Sequence, residues 1–409
     1  MFRIFVPPKD LSATDKTLLL LLGAAFFIGQ YDSTILTLAL PDVQASFNIP
    51  EEELGNMLAL ARLGAIPAIF FALLSDRIGR RRLLLVTLIG LSIATGLTGF
   101  TRTKEEFIFV QLFARGFTTA EEILAVIYVL EMLPARQRGW GVGFLAAMGG
   151  LGSGLASLLY GFSEYLPGGW RALYVIAALP ILYIAWLRRQ LPESSIFEQH
   201  TTGAAPPPVW QPFLEIFQHH ARAMLTIGSI AALFWFQVSA NLNFMSKYLQ
   251  DIHNYSTQQV SLLFIAAGSF AILGNTLAGR FADQVGRRPM LAAGLLLNCL
   301  SFIAFYNSSG FLLPLFWMTA LFSFFAVDVI VNAISGELFP TRCRSTASTL
   351  RTLFAMFAAV AGLAIEGSLF NSLGSHATAL SYMTLTGLVA IPVVWLMLRE
   401  TAMAELSRE

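Results

Sequence analysis

The sequence predicts an all-α membrane protein of twelve transmembrane helices, arranged as two pseudo-symmetric bundles of six. Three observations predict it. The first is composition. Of 409 residues, 56% are hydrophobic and 12% charged, with a mean hydropathy of +0.66, whereas a soluble domain carries about 25% charge. The second is segmentation: apolar stretches of about 18–27 residues follow one another with short polar breaks, the length a hydrocarbon core of about 30 Å requires. The third is an internal repeat. Asp76-Arg77-Ile78-Gly79-Arg80-Arg81 returns as Asp283-Gln284-Val285-Gly286-Arg287-Arg288, an offset of 207 (283 − 76). Glu131, Pro134 and Arg138 return as Glu337, Pro340 and Arg344, an offset of 206 (337 − 131).

In chain order the spans fall at about 17–40, 54–75, 83–101, 106–132, 139–162, 170–189, 222–247, 257–280, 289–307, 312–338, 345–370 and 377–398. The first run is too long for a leader's apolar region and has no small-residue cleavage site, so it reads as a span. Residues 1–190 form the first bundle, 191–220 a connector and 221–409 the second bundle. The connector contains Pro206-Pro207-Pro208, a stiff extended element, and 193–199 could form a short surface helix. Arginines such as Arg77, Arg80, Arg81, Arg82, Arg136, Arg138, Arg188 and Arg189, with their counterparts from Arg280 to Arg344, gather on the side that holds both termini. Arg102, Lys104, Arg171 and Lys247 stand opposite. The excess places both termini in the cytoplasm. A net charge of +1 argues against a nucleic-acid partner. Cys299 falls in a span and Cys343 in a cytoplasmic loop, so neither a disulfide nor a metal site is expected.

Two similar halves meeting in a bilayer are the architecture of an alternating-access transporter, with the substrate handled near the midplane. Charges inside the spans are the candidates for that work, because each costs at least about 2.5–3.5 kcal/mol to insert and needs a partner or a wet cavity. They are Asp32, Arg62, Arg115, Glu121, Glu122, Asp328, Arg351 and Glu366. At 1.5 Å per residue, Asp32, Arg62 and Arg115 lie about 22, 21 and 24 Å from the cytoplasmic ends of their helices, which predicts a cluster at one level. That cluster is either a fixed ion pair or one that breaks on protonation or substrate arrival. Glu121 and Glu122 lie near the midplane, about 100° apart around their helix. Asp328 is the repeat mate of Glu122 (122 + 206) and could pair with Arg351. Glu366 has no arginine at its depth. The five histidines lie in loops or at helix edges, so carboxylates are expected to carry any coupled protons.

The motifs resemble those of the major facilitator superfamily over nearly the whole chain. Leu74-Ser75-Asp76-Arg77-Ile78-Gly79-Arg80-Arg81 is similar to its loop 2–3 signature. Glu337-Leu338-Phe339-Pro340-Thr341-Arg342-Cys343-Arg344 and Pro192-Glu193-Ser194 resemble segments of sugar porters and organic-ion transporters. Two departures stand out. Gln111 sits where sugar porters carry an arginine, with Arg115 one turn later, and Asp32 to Pro41 is similar to the helix 1 motif of proton-driven drug exporters. The resemblance implies that Glu121 matches a glutamate of metabolite and organic-ion symporters. It also implies that Asp76, Arg80, Glu131, Arg138, Asp283, Arg287, Glu337 and Arg344 form cytoplasmic latches; dipole caps and membrane anchors are the plainer reading. Arg81, Arg82 and Arg288 read as anchors.

The glycines of 139–154 suit close helix packing rather than phosphate binding. Phe234-Trp235-Phe236, Gln237, Asn241 and Asn243 lie on one helix that could present a face to a cavity. Together these features describe a monomeric secondary transporter of the plasma membrane or bacterial inner membrane. It would have no cofactor and would move a small organic metabolite or ion with protons. The surplus of acids favours a cation or zwitterion, while Arg62, Arg115 and Arg351 keep an anion open. The rival readings are a proton-coupled multidrug exporter and a membrane sensor without transport. No nucleophile–base pair or metal-ligand spacing points to an enzyme.

Overall fold

The computed structural model describes residues 11–134, 137–189, 211–340 and 343–401, and no strand occurs among them. In chain order the helices are α1 (Ala13–Leu38), α2 (Leu40–Phe47), α3 (Glu51–Leu63), α4 (Ala68–Ile78), α5 (Arg80–Thr98), α6 (Lys104–Met132), α7 (Arg138–Tyr160) and α8 (Trp170–Arg188). They continue with α9 (Gln211–His219), α10 (Ala221–Lys247), α11 (Thr257–Val285), α12 (Arg287–Tyr306), α13 (Leu312–Glu337), α14 (Arg344–Leu373), α15 (His376–Leu388) and α16 (Ala390–Met397). Ten helical stretches among the described residues are long and apolar enough to cross a membrane.

Prolines and charges explain where the sequence pattern and the helices part. The expected span 17–40 is interrupted at Ala39, beside Pro41; 377–398 is interrupted at Val389, three residues before Pro392. Proline offers no N–H to the preceding turn and crowds its carbonyl. The expected span 54–75 divides into α3 and α4 at a turn over 64–67, which ends in Pro67. The span at 106–132 is one unbroken helix, but Arg115, Glu121 and Glu122 charge its middle. Residues 190–210 of the connector, with Pro192, Glu193 and Pro206, lie outside the described residues, while its remainder forms the short helix α9.

The chain divides into two compact units. Among the described residues the first holds 11–39 and 61–189 without 135–136, and the second holds 40–60 and 211–401 without 341–342. In the first unit α1 lies along α7, α5 along α6 and α8, and α4 along α6. In the second, α10 lies along α14, α12 along α13, α15 and α16, and α11 along α13. The same set of partnerships therefore occurs once per repeat.

Close approach depends on glycine at matching places. A Cβ on Gly152 of α7 would fall on the carbonyl oxygen of Phe27 in α1, and one on Gly362 of α14 on that of Phe236 in α10. A bilayer offers no hydrophobic drive between helices, so such small-residue contacts and dispersion hold the pairs. Leu18, Leu22, Leu84, Leu124, Tyr128 and Leu145 fill the interior of the first unit, where all are at most 1% exposed. Large apolar side chains such as Phe70, Leu179, Leu262 and Leu396 are open on the outside, as befits a surface solvated by hydrocarbon.

Candidate functional site

The first unit's polar interior is built on α1, α5 and α6. Asp32 is 2% exposed and accepts a hydrogen bond from Thr95 Oγ1 at 3.0 Å. Arg115 Nη1 donates to Ser33 Oγ at 2.7 Å, one residue along α1 from Asp32. Gln30 Nε2 donates to Glu122 Oε1 at 2.7 Å, one turn earlier on α1. Arg115 and Glu122 are seven residues apart, two turns of one helix face. The Arg115 charge bears on Asp32, Glu122 and Arg62 alike. The structure thus brings together the residues of the expected 32–62–115 level, and adds Glu122, Gln30, Ser33 and Thr95. Among the described residues, no carboxylate lies within 4.0 Å of the Arg115 guanidinium.

Glu121 has a separate environment. It is 1% exposed and forms an ion pair with Arg188 of α8. Its second oxygen accepts from Thr87 Oγ1 at 2.7 Å. Arg188 also donates from Nε and Nη2 to the carbonyl of Leu21, at 3.3 and 3.1 Å. The pair joins α1, α5, α6 and α8 inside the first unit, with its lone pairs and N–H groups shared out as a buried ion pair demands. Arg188 ends an apolar run, so its position in the sequence reads as a cytoplasmic charge; Glu121, an intramembrane acid in need of a partner, is the signal for the pair.

In the second unit Asp328 and Arg351 communicate through a residue the sequence reading passed over. Asn332 Nδ2 donates to Asp328 Oδ2 at 2.9 Å, and Arg351 Nη2 donates to Asn332 Oδ1 at 2.7 Å. The i, i+4 spacing of Asp328 and Asn332 was the clue. Gln237, Asn241, Asn298 and Thr384, all fully buried, form an amide-rich network inside this unit: Gln237 Nε2 donates to Asn298 Oδ1, and Asn241 Nδ2 to Thr384 Oγ1, each at 2.9 Å.

Glu366 of α14 is 0% exposed, and its partner is His376 at the start of α15. His376 Nδ1 lies 2.5 Å from Glu366 Oε1 and its Nε2 2.9 Å from Glu51 Oε2 of α3. Lys247 Nζ completes the chain of contacts, at 3.0 Å from Glu51 Oε1 and 2.5 Å from both Asp251 Oδ2 and Gln44 Oε1. Burial pushes the Glu51 carboxyl up, but the hydrogen bonds from His376, Gln44 and Lys247 and the Lys247 charge outweigh it and hold it at about 2.

The repeated charged motif forms equivalent contacts in the two units. Arg80 meets Glu131 through Nε and Nη2 at 2.9–3.2 Å, and Arg287 meets Glu337 through the same atoms at 2.7–3.3 Å. Arg287 also pairs with Asp283 at 2.7 Å; the side chain of the equivalent Asp76 lies outside the described residues. Gly79 and Gly286 join the helices of each motif at φ 101° and 116°, a left-handed backbone that favours glycine. Arg81 donates to the carbonyl of Arg189, and Arg288 to that of Trp395, so each reaches the end of the last described helix of its unit. Arg138 Nε donates to the carbonyl of Leu133 at 3.1 Å, capping α6, and Arg344 makes no ion pair among the described residues. Glu400, not singled out from the sequence, accepts from the backbone N–H of Arg287 at 2.7 Å and of Arg288 at 3.1 Å. Thr401 Oγ1 donates to Glu337 Oε2 at 2.5 Å.

A helical membrane protein whose repeated halves each enclose ionisable side chains is the design of a solute carrier. The chain belongs to the major facilitator superfamily, whose family model matches residues 22–245 and 227–409. It is 29% identical over 349 residues to the cis,cis-muconate transport protein of Acinetobacter baylyi, covering 82% of this chain and 83% of that protein. It is 25% identical over 406 residues to the putative niacin/nicotinamide transporter NiaP of Bacillus subtilis, covering 97% and 99%. It is 29% identical over 377 residues to the proline/betaine transporter of Escherichia coli, covering 84% and 70%. Among solved structures, the inward open conformation of the xylose transporter XylE from E. coli matches with a TM-score of 0.76 at 19% identity, over 96% of this chain and 98% of that one. The protein is therefore a multi-pass membrane transporter of small organic metabolites or ions, and the relatives named are transporters rather than enzymes.

Proposed function

We propose that this protein is a proton-coupled symporter of a small organic carboxylate, working by alternating access. The observation that carries the substrate class is Arg115. Its guanidinium is held by the neutral Ser33 hydroxyl at 2.7 Å, and among the described residues no carboxylate within 4.0 Å consumes its charge. Arg188 already compensates Glu121, which removes that acid from the surplus that favoured a cation. A guanidinium with unused N–H groups suits a carboxylate, which it can grip through two parallel bonds. Muconate, niacin, proline and betaine, four of the compounds named for the relatives, carry a carboxylate, while nicotinamide, named beside niacin, is a neutral amide.

In this reading Asp32 is the proton carrier, since Thr95 supplies its one short hydrogen bond and the Arg115 charge bears on it. Glu122 tunes the same region from the other turn of α6, and Glu121 with Arg188 is structural. Asp328, Asn332 and Arg351 serve substrate or proton from the second unit. The Arg80–Glu131 and Arg287–Glu337 pairs act as conformational latches on the cytoplasmic side. We assign twelve spans, with α3–α4 and α6 completing the ten apolar ones, both termini cytoplasmic, a monomer, and a plasma or bacterial inner membrane location.

Proteoliposome uptake of muconate, nicotinate and betaine under an imposed pH gradient tests the reading. Accumulation of at least one of them that collapses with the gradient supports it. Efflux of lipophilic cations with no carboxylate uptake establishes the drug-exporter alternative instead.

A further inference from the structure

His376 joins two carboxylates, Glu366 at 2.5 Å through Nδ1 and Glu51 at 2.9 Å through Nε2. A ring nitrogen and a carboxylate oxygen attract at these distances only with a proton between them; otherwise lone pair faces lone pair. The two contacts therefore hold two protons. A neutral imidazole brings one. The second is an additional proton, carried on the ring as imidazolium or on Glu366 across the shorter contact. The surroundings make this count strict. Glu366 is fully buried, and its Oε2 has no hydrogen-bond partner. The rings of Phe370 and Phe244 lie 4.2 and 4.7 Å from the imidazole, which limits water. The other groups facing the triad are Lys247 of α10 and Asp251 beyond it, paired with each other at 2.5 Å, and Tyr306 of α12, on which the Glu366 charge bears. Lys247 also pairs with Glu51, so it does not supply the missing proton.

The triad joins three parts of the second unit: the segment 40–60, α14 and α15. Gly55 and Gly367 let the segment and α14 meet at backbone distance: a Cβ on Gly55 would fall on the Leu363 carbonyl, and one on Gly367 would lie 2.7 Å from the Glu52 carbonyl. The segment's ends continue through the chain to Ala39 and Ala61 of the first unit, and α1 carries Asp32.

We propose that Glu51, His376 and Glu366 are a second proton-binding site, which takes up one proton when the segment 40–60 seats on α14 and α15 and releases it when the segment leaves. Seated, the triad holds two protons and one net negative charge. Separated near neutral pH, a neutral imidazole and two carboxylates hold one proton and two negative charges, and the difference is one proton delivered to solvent. From the proposed function this uses only the premise that the protein changes conformation.

The test places nitroxide labels at Ala45→Cys and Thr378→Cys, both exposed, with the buried Cys299 and Cys343 replaced by alanine. Electron–electron double resonance in nanodiscs then follows the distance between the labels, without substrate, from about pH 5 to about pH 9. The short-distance population should fall as pH rises. Glu366→Gln should keep that population high and flat, because its carboxamide donates to Nδ1 while Nε2–H still donates to Glu51. His376→Gln cannot bridge both partners and should leave the population low throughout. A parent protein whose distances ignore pH, or a Glu366→Gln variant with the parent's response, overturns the proposal. Because no flux is measured, that outcome leaves proton-coupled uptake to its own assay.

Discussion

Arg188 and Glu121 neutralise one another wholly inside the first unit, and between them bind Leu21 of α1, Thr87 of α5 and the helices α6 and α8. Removing one partner strands a charge away from water, at a cost of about 3–5 kcal/mol, whereas replacing both by apolar residues of similar size is often neutral. Arg188→Met and Glu121→Leu should each lower the melting temperature in detergent sharply, and the double variant should recover most of the loss. It should also retain pH-gradient-driven uptake. A double variant that is stable but loses gradient dependence would move Glu121 back among the proton carriers.

Arg115 and Asp32 should separate binding from coupling. Truncation of one member of a buried, hydrogen-bonded charge pair costs about 2–5 kcal/mol. Arg115→Ala should therefore weaken the apparent affinity for a carboxylate substrate by roughly 30-fold or more. Asp32→Asn should preserve substrate exchange across the membrane at equal concentrations while abolishing accumulation against a gradient. Counterflow and driven uptake, measured side by side in proteoliposomes, check both.

The glycines predict a positional contrast within one helix. Gly152→Ala places a methyl group on the Phe27 carbonyl, whereas Gly139, Gly143, Gly150 and Gly154 have open space where a Cβ would go. Gly152→Ala and Gly362→Ala should each destabilise by about 1–3 kcal/mol through forced separation of the helices. Alanine at the open positions should be tolerated or slightly stabilising, since it lowers backbone entropy in the unfolded chain. Thermal denaturation of the six single variants reads this directly.

Glu51 sets an acid limit on the contacts of the segment 40–60. Its carboxyl is held at about 2 against an ordinary 4.5, so the unfolded chain binds a proton that the folded protein refuses. The resulting stabilisation is fully present above about pH 4.5 and is lost as pH falls toward about 2. Glu51→Gln should flatten that part of the melting-temperature profile, between about pH 4.5 and about 2. An unchanged acid slope in the variant would contradict the assignment.

Glu400 caps α12 through the N–H groups of Arg287 and Arg288. Loss of such a cap costs about 0.5–2 kcal/mol. Glu400→Ala should lower stability by that amount. It should also loosen the Arg287–Glu337 pair, because Thr401 next to it donates to Glu337. Accelerated exchange of the α12 N-terminal amides with deuterium is the expected signature.

Helical class, repeat and family were legible in the sequence, because hydropathy along the chain and an offset of about 207 residues are one-dimensional properties. That Arg80, Glu131, Arg287 and Glu337 recur as one set was legible in the repeated motif, whereas which of them pair is a property of the fold. Depth arithmetic placed Asp32, Arg62 and Arg115 at one level, but it carries no information about which way a side chain points around its helix. The close contact to Asp32 comes from Thr95 rather than from an arginine, which depth alone does not reveal. Three of the charged partners that hydropathy does not reveal share a physical cause. Arg188, His376 and Glu400 sit at or beyond helix ends, where a long or hinged side chain reaches inward from a position that reads as loop or membrane anchor. The interruptions at Ala39 and Val389 were invisible to hydropathy, since a proline-broken helix is as apolar as a straight one.

The contact of Gly152 with Phe27 has a consequence for how the protein is made. The two residues are 125 positions apart (152 − 27), and the equivalent Gly362 and Phe236 are 126 apart (362 − 236). At about 5–20 residues per second of synthesis, α1 waits roughly 6–25 s after insertion before α7 emerges to clasp it, and α10 waits as long for α14. During each interval the earlier helix must shelter against lipid or the insertion machinery. Each half of the nascent chain thus passes through the same vulnerable pause.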